Sequence, residues 1–258
     1  MIAFIDLDGT LLGPDSRVSR ENAAAVKRLR AAGYTIVFAS GRHQRNIAML
    51  VHELEPLEWV VSSQGTVARH FVTGETVFER GLSWADIVQL EALARERAIG
   101  LIAYHREAVH VERMTKWIEI YAGKAGWTPL VGPFRELAPV GFQKVLLTTD
   151  PEAIVAMREE AVFARFHAVI TEPELLELLP PGTNKASAAE AVAKRLGVPP
   201  RDTLAFGDGN NDVELLAWAG DSYAMAHGRV AAKLAAKHVC PPGAPETAFA
   251  RSVTEALG

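Results

Sequence analysis

The chain opens MIAFIDLDGTLL, residues 1–12, and this stretch decides the fold. Residues 2–7 form a short, nearly continuous apolar run, the pattern of a strand covered on both faces, as in parallel sheets. Asp8-Gly9-Thr10 reads as the turn that ends it. Residues 19–32 then read as a helix: Ser19 caps it, Val26, Leu29 and Ala32 recur at helical spacing, and Gly33 terminates it. A second buried strand over 34–39 ends at Ser40-Gly41-Arg42, and a helix-like stretch leads to a third strand at 59–62. This order predicts a right-handed, doubly wound parallel α/β sheet of Rossmann-like type.

Further along, the pattern changes. Residues 67–79 alternate around Thr73-Gly74, which reads as a β-hairpin. Ser83 and Asp86 open a helix running to about residue 97. Strands at 101–105 and 109–113, a helical stretch from Thr115, a strand at 142–149, a helix at 152–163 and two strands within 167–179 make an α+β unit. We therefore expect a second domain over 82–180, hinged at Gly81 and Pro180-Pro181-Gly182 and inserted into a discontinuous core of 1–81 and 181–258. The core pattern resumes with a helix at 184–196 and a strand at 203–206 that ends in GDGNND, residues 207–212. A helix, a short strand through Ala224-Met225 and further helices complete the chain.

Composition narrows the function. Of 258 residues, 49% are hydrophobic and 22% charged, which excludes a disordered or collagen-like chain. A formal charge of −4 with no basic run argues against nucleic acid as a partner. The stretch of ~20 apolar residues that a spanning helix needs is missing, so no membrane association is expected. The N-terminus lacks the basic start and unbroken apolar run of a signal peptide, and the single Cys240 excludes an internal disulfide. A cytoplasmic monomer or small homo-oligomer is the expectation.

Polar residues stand at three strand ends: Asp6 and Asp8, Ser40, then Asp208 and Asp212. Open parallel sheets bind ligands outside the carboxyl ends of their strands, so acids remote in sequence converge there. Convergent carboxylates repel one another unless a positive charge sits among them, and Mg²⁺ prefers oxygen ligands of this kind. Ser40 and the backbone N–H groups around Gly9 and Gly41 are suited to holding a phosphate.

These segments resemble the haloacid dehalogenase superfamily. DLDGT (6–10), SGR (40–42), Lys185 after P-x-G-x-x, and GDGNND (207–212) occur in the order of that superfamily's four motifs. The insertion between the second and third resembles a type IIB cap, and Ala224-Met225 before a helix is similar to the tail of the Cof-type phosphatases. The resemblance implies a Mg²⁺-dependent phosphatase of small phosphorylated metabolites, sugar phosphates first. By it Asp6 is the nucleophile that forms an aspartyl-phosphate, and Asp8 is the general acid and then the base. Thr10 orients the turn, Ser40 and Lys185 clamp the phosphate, and Gly9, Gly41, Arg42 and Asn211 border it. Asp208, the Asp6 carboxylate and the Asp8 backbone carbonyl hold the metal, with Asp212 orienting the metal site or Lys185. The cap closes for the first step and opens for the second.

Other readings stand beside these. Arg42 divides evenly between substrate contact and structural ion pair. Glu177, in ELLP before the hinge, is a further substrate candidate because related caps carry a glutamate nearby. Met114, Trp117 and Trp127 read as core of the inserted domain, and Cys240 as an inert thiol. Gln64-Gly65 stands where related proteins often have Asn-Gly, and Ala226-His227-Gly228 replaces an asparagine-containing turn, with His227 read as a surface residue. A phosphosugar mutase on the same scaffold is the alternative enzyme. A phosphometabolite sensor is the non-catalytic one, and it needs neither Asp6 nor Asp8.

Overall fold

The structure is a computed structural model that describes residues 1–106 and 108–258. It divides into two compact units, one of Met1–Glu79 with Asn184–Gly258 and one of Arg80–Thr183. The first segment runs β1 (Ile2–Ile5), α1 (Arg20–Ala31), β2 (Thr35–Ala39), α2 (Gln44–Val51), β3 (Trp59–Ser62), β4 (Val67–His70) and β5 (Thr76–Glu79). The second unit runs α3 (Trp84–Glu96), β6 (Gly100–His105), β7 (Ala108–Val111), α4 (Lys116–Ala125), β8 (Leu130–Val131), β9 (Phe142–Thr148), α5 (Pro151–Arg158), β10 (His167–Glu172) and β11 (Leu175–Leu179). The chain then returns through α6 (Lys185–Arg195), β12 (Thr203–Gly207), α7 (Val213–Trp218), β13 (Asp221–Ala224), α8 (Val230–Ala235), β14 (His238–Val239) and α9 (Ala248–Leu257).

In the first unit the strands form one sheet in the order β14-β13-β12-β1-β2-β3-β4-β5. It is parallel from β14 to β3, and the β4–β5 hairpin extends it antiparallel. Side-chain alternation separates two cores. Ala3, Ile5, Ile36 and Phe38 pack on one face with Val26 and Leu29 of α1, Ile47 of α2 and Phe249 of α9. Ile2, Phe4, Val37 and Ala39 pack on the other with Ala188 and Val192 of α6, Leu215 of α7 and Ala232 of α8. Burial on both faces is why these strands are unbroken apolar runs. The chain leaves β1 toward β2 and returns as β12 on the other side of β1, so the strand order reverses there, and a crevice opens at the carboxyl ends.

The second unit is a six-stranded sheet, β10-β11-β9-β6-β7-β8. Ile87 and Leu90 of α3 and Ile154 of α5 cover one face, and Ile118 of α4 packs on the other. The Ser83–Asp86 capping box forms as read.

Some elements depart from the sequence reading. β8 and β14 are two-residue strands with no periodicity to detect, and β14 lies in a tail read as helical. Helix α5 stops at Arg158, and a separate 3₁₀ turn, Ala161–Phe163, buries Phe163. Met114 is exposed, so it is not core; the loop before Thr115 carries it outside the α4 contact face.

Candidate active site

Asp6 follows the last residue of β1, and its N–H still bonds to the Phe206 carbonyl of β12 at 3.0 Å. The neighbouring strand ends bring Ser40 after β2 and Asp208 after β12. Lys185 begins α6, whose N-cap Asn184 accepts a hydrogen bond from the Ser187 N–H at 2.9 Å. The Lys185 ammonium is fully buried and lies 2.6 Å from both Asp6 Oδ1 and Asp212 Oδ1. Asp212 Oδ2 accepts from the backbone N–H groups of Asp208 at 3.0 Å and Gly209 at 2.9 Å. Both Asp212 oxygens are therefore engaged within the protein, and the residue locks Lys185 to the loop that carries Asp208.

Asp6, Asp208 and Asp212 offer carboxylate oxygens within 4.8 Å of one another. Burial and then Asp212 push the Asp6 pKa well above the usual carboxylate range, with Lys185 opposing. Burial, followed by Asp212, raises Asp208 to about 6, with Lys185 and His227 opposing. Burial alone would lower Lys185, but Asp212 and Asp6 outweigh it and hold the ammonium above its ordinary value. One ammonium thus faces several carboxylates, leaving an excess of negative charge. Oxygen donors carrying excess negative charge suit a hard divalent cation.

The other candidates border this cluster. Thr10 is buried, and its hydroxyl donates to Asp208 Oδ1 at 3.4 Å. Gly9 has φ +76°, and a Cβ there would overlap the Asp208 carboxylate. Ser40 is buried, and its Oγ accepts the Arg42 N–H at 3.2 Å. The Asp8 carboxylate stands outside the three-acid group and is held by Arg42, while its charge still acts on Asp6 and Asp208. Glu177 belongs to the second unit, where it is buried and paired to Lys144 Nζ at 2.9 Å.

Two participants escaped the sequence reading. His227 Nε2 donates to the Gly9 carbonyl at 2.7 Å, so this exposed residue braces the turn after Asp8. Ser63, Gln64 and Gly65 take φ values of +51°, +62° and +87° in succession at the end of β3. A left-handed non-glycine residue costs about 1–2 kcal/mol, so two together are held by their surroundings. The Ser63 and Gln64 N–H groups donate to the Arg42 and Ser40 carbonyls at 2.9 and 3.2 Å. Gly65 is packed against the Asn184 backbone so closely that a Cβ has no room. Gln64 Oε1 accepts from Asn211 Nδ2 at 2.8 Å. The sequence signal for this hub is a strand end followed by Gln64-Gly65, but its partners are set by tertiary structure.

A family model described as haloacid dehalogenase-like hydrolase matches residues 3–246. The HMP-PP phosphatase of Cronobacter sakazakii is 27% identical over 235 residues, covering 87% of this chain and 83% of that protein. A haloacid dehalogenase-like hydrolase from Bacteroides thetaiotaomicron superposes with a TM-score of 0.89 at 23% identity, covering 99% of this chain and 98% of that one. A haloacid dehalogenase subclass IIB sugar phosphatase superposes with a TM-score of 0.85 at 18% identity, covering 100% and 99%. The chain belongs to the haloacid dehalogenase-like hydrolases. Within that family it is a phosphatase, of the Cof type read from its motifs.

Proposed function

We propose that the protein is a Mg²⁺-dependent phosphatase of small sugar phosphates, acting through an aspartyl-phosphate on Asp6. One observation carries this reading: Asp6 sits at the end of β1 with one oxygen fixed by a buried lysine and a second, half-buried carboxylate, Asp208, beside it. The donor set fits a divalent cation, with Asp6, Asp208 and the Asp8 backbone carbonyl as its ligands. When bound, the cation neutralises negative charge and polarises the phosphoryl group.

The Asp6 carboxylate attacks phosphorus in line, and the bond to the leaving oxygen breaks. Asp8 gives that oxygen its proton, since an alkoxide is a poor leaving group near neutral pH. Water then attacks the acyl phosphate, Asp8 takes its proton, and inorganic phosphate leaves with Asp6 restored. Lys185 supplies fixed positive charge against the phosphoryl oxygens, and Ser40 donates to them. Asp212 serves as the positioning residue for Lys185, because both of its oxygens are already occupied.

The test is release of inorganic phosphate from a panel of sugar phosphates, and HMP-PP, with Mg²⁺. Asp6→Asn is expected to stay folded and to lose at least about 10³-fold in turnover, and EDTA to stop the wild-type reaction. Near-normal turnover in either case rejects the assignment. Isomerisation of a sugar phosphate without net phosphate release would mark the mutase, and tight ester binding with no turnover the sensor.

A further inference from the structure

We infer that Gln64 is a phosphate-contacting residue of this site, donating from its side-chain amide to the substrate's phosphoryl group while its carbonyl holds Asn211. The inference rests on the phosphatase reading above. The left-handed turn at 63–65 is pinned to Ser40 and Arg42 through its own N–H groups. It is pinned to the start of α6, hence to Lys185, by the close approach of Gly65 to Asn184. It therefore sets Gln64 among three segments that carry phosphate-site residues.

The amide orientation follows from its partners. Oε1 faces Asn211, and Nε2 lies against Gly41, so close that a Cβ at position 41 would collide with it. Among the described residues, no acceptor receives the Nε2 hydrogens. The side chain is half-buried, so these donors remain accessible. Phosphoryl oxygens are strong acceptors, and an amide beside the Ser40-Gly41-Arg42 turn supplies a donor to a group held by that turn. The competing role, a brace for Asn211 alone, needs only Oε1.

The experiment uses the ¹⁵N-labelled full chain in Mg²⁺ buffer, titrated with inorganic phosphate. The Gln64 side-chain resonances, identified by their loss in Gln64→Glu, are expected to shift and saturate together with the Gly41 backbone amide. The Gln64→Ala inhibition constant for phosphate should rise about tenfold, the loss of one hydrogen bond to a charged acceptor. Gln64→Glu keeps the acceptor for Asn211 but replaces the donor with an anion, so it should raise that constant further with an unchanged melting temperature. A Gln64 amide that stays still while Gly41 shifts, or a Gln64→Ala constant within twofold of wild type, overturns the contact and leaves the phosphatase reading intact. No response at Ser40 or Gly41, with no phosphate released by the wild type, overturns both.

Discussion

The Arg42 guanidinium grips the Asp8 carboxylate at two points, Nε to Oδ2 at 2.8 Å and the second nitrogen to Oδ1 at 2.7 Å. Of the two readings the sequence leaves open for Arg42, the structure displays the ion pair. The Asp8 side chain is 51% exposed, and an exposed pair contributes only ~0–1 kcal/mol to stability. Its consequence is geometric, because two parallel bonds fix the plane of the carboxylate.

Lysine cannot reproduce that fork. Arg42→Lys should therefore lower kcat for an alkyl phosphate by about tenfold, with a melting temperature within a few degrees of wild type. For p-nitrophenyl phosphate, whose leaving group departs without a proton, the loss in kcat should be smaller. Steady-state kinetics on both substrates check this. Equal losses on the two would mean that Arg42 acts on the phosphoryl group rather than through Asp8.

The raised pKa of Asp208 sets a pH window. Its folded value is about 6 against an ordinary 3.8, so between those values the folded chain binds protons that the unfolded chain has released. Stability of the metal-free protein therefore falls as pH rises through that window. A cation must displace the Asp208 proton below pH 6, and burial raises the pKa of the other carboxylate ligand, Asp6, as well, so Mg²⁺ affinity should climb with pH through this window. The rise in melting temperature on replacing EDTA with Mg²⁺ should thus grow from pH 5 to pH 7. A rise that shrinks over this range would remove Asp208 from the ligand set.

Much of this architecture was legible because burial writes itself into composition. β1, β2 and β12 are covered on both faces and read as apolar runs, each ending in the polar residue that enters the crevice. The individual candidates Asp6, Lys185 and Asp208 stood out by type and place. Their convergence was expected from the strand ends of a parallel sheet, but its geometry was not, since it depends on β12 pairing with β1, Ile2 against Thr203, from opposite parts of the chain. The roles of Gln64 and His227 were not legible for a related reason: their side chains bond to remote segments, at Asn211 and at Gly9. The fork between Arg42 and Asp8 likewise has no signature in either local motif.

In the second unit, Lys144 and Glu177 form an ion pair whose side chains are 1% and 4% exposed, with the ammonium 4.5 Å from the Tyr104 ring centroid. Glu177 Oε2 meets no partner among the described residues. Removing one member of a buried pair leaves an uncompensated charge and costs roughly 3–5 kcal/mol, whereas replacing both with apolar groups is often neutral. Lys144→Met should therefore destabilise by about that much in urea denaturation, and Lys144→Met with Glu177→Leu should recover most of it. A single variant as stable as wild type would show that Glu177 is neutral or hydrated in the fold.

Gly9 and Gly33 separate backbone cost from crowding. Both have positive φ, +76° and +85°, so alanine at either position costs about 1–2 kcal/mol in backbone strain. At position 33 the added Cβ meets nothing within 4 Å, but at position 9 it lands 2.7 Å from the Asp208 carboxyl carbon. Gly33→Ala should lower the melting temperature and leave Mg²⁺ affinity and kcat unchanged. Gly9→Ala should lower the melting temperature at least as far and also weaken Mg²⁺ binding by about tenfold or more, because Asp208 must move from Asp6 to make room. Calorimetric titration of both variants with Mg²⁺ decides the matter. Equal affinities would mean that the cation does not need Asp208 where the structure holds it, and the metal site would have to be rebuilt around Asp6 without it.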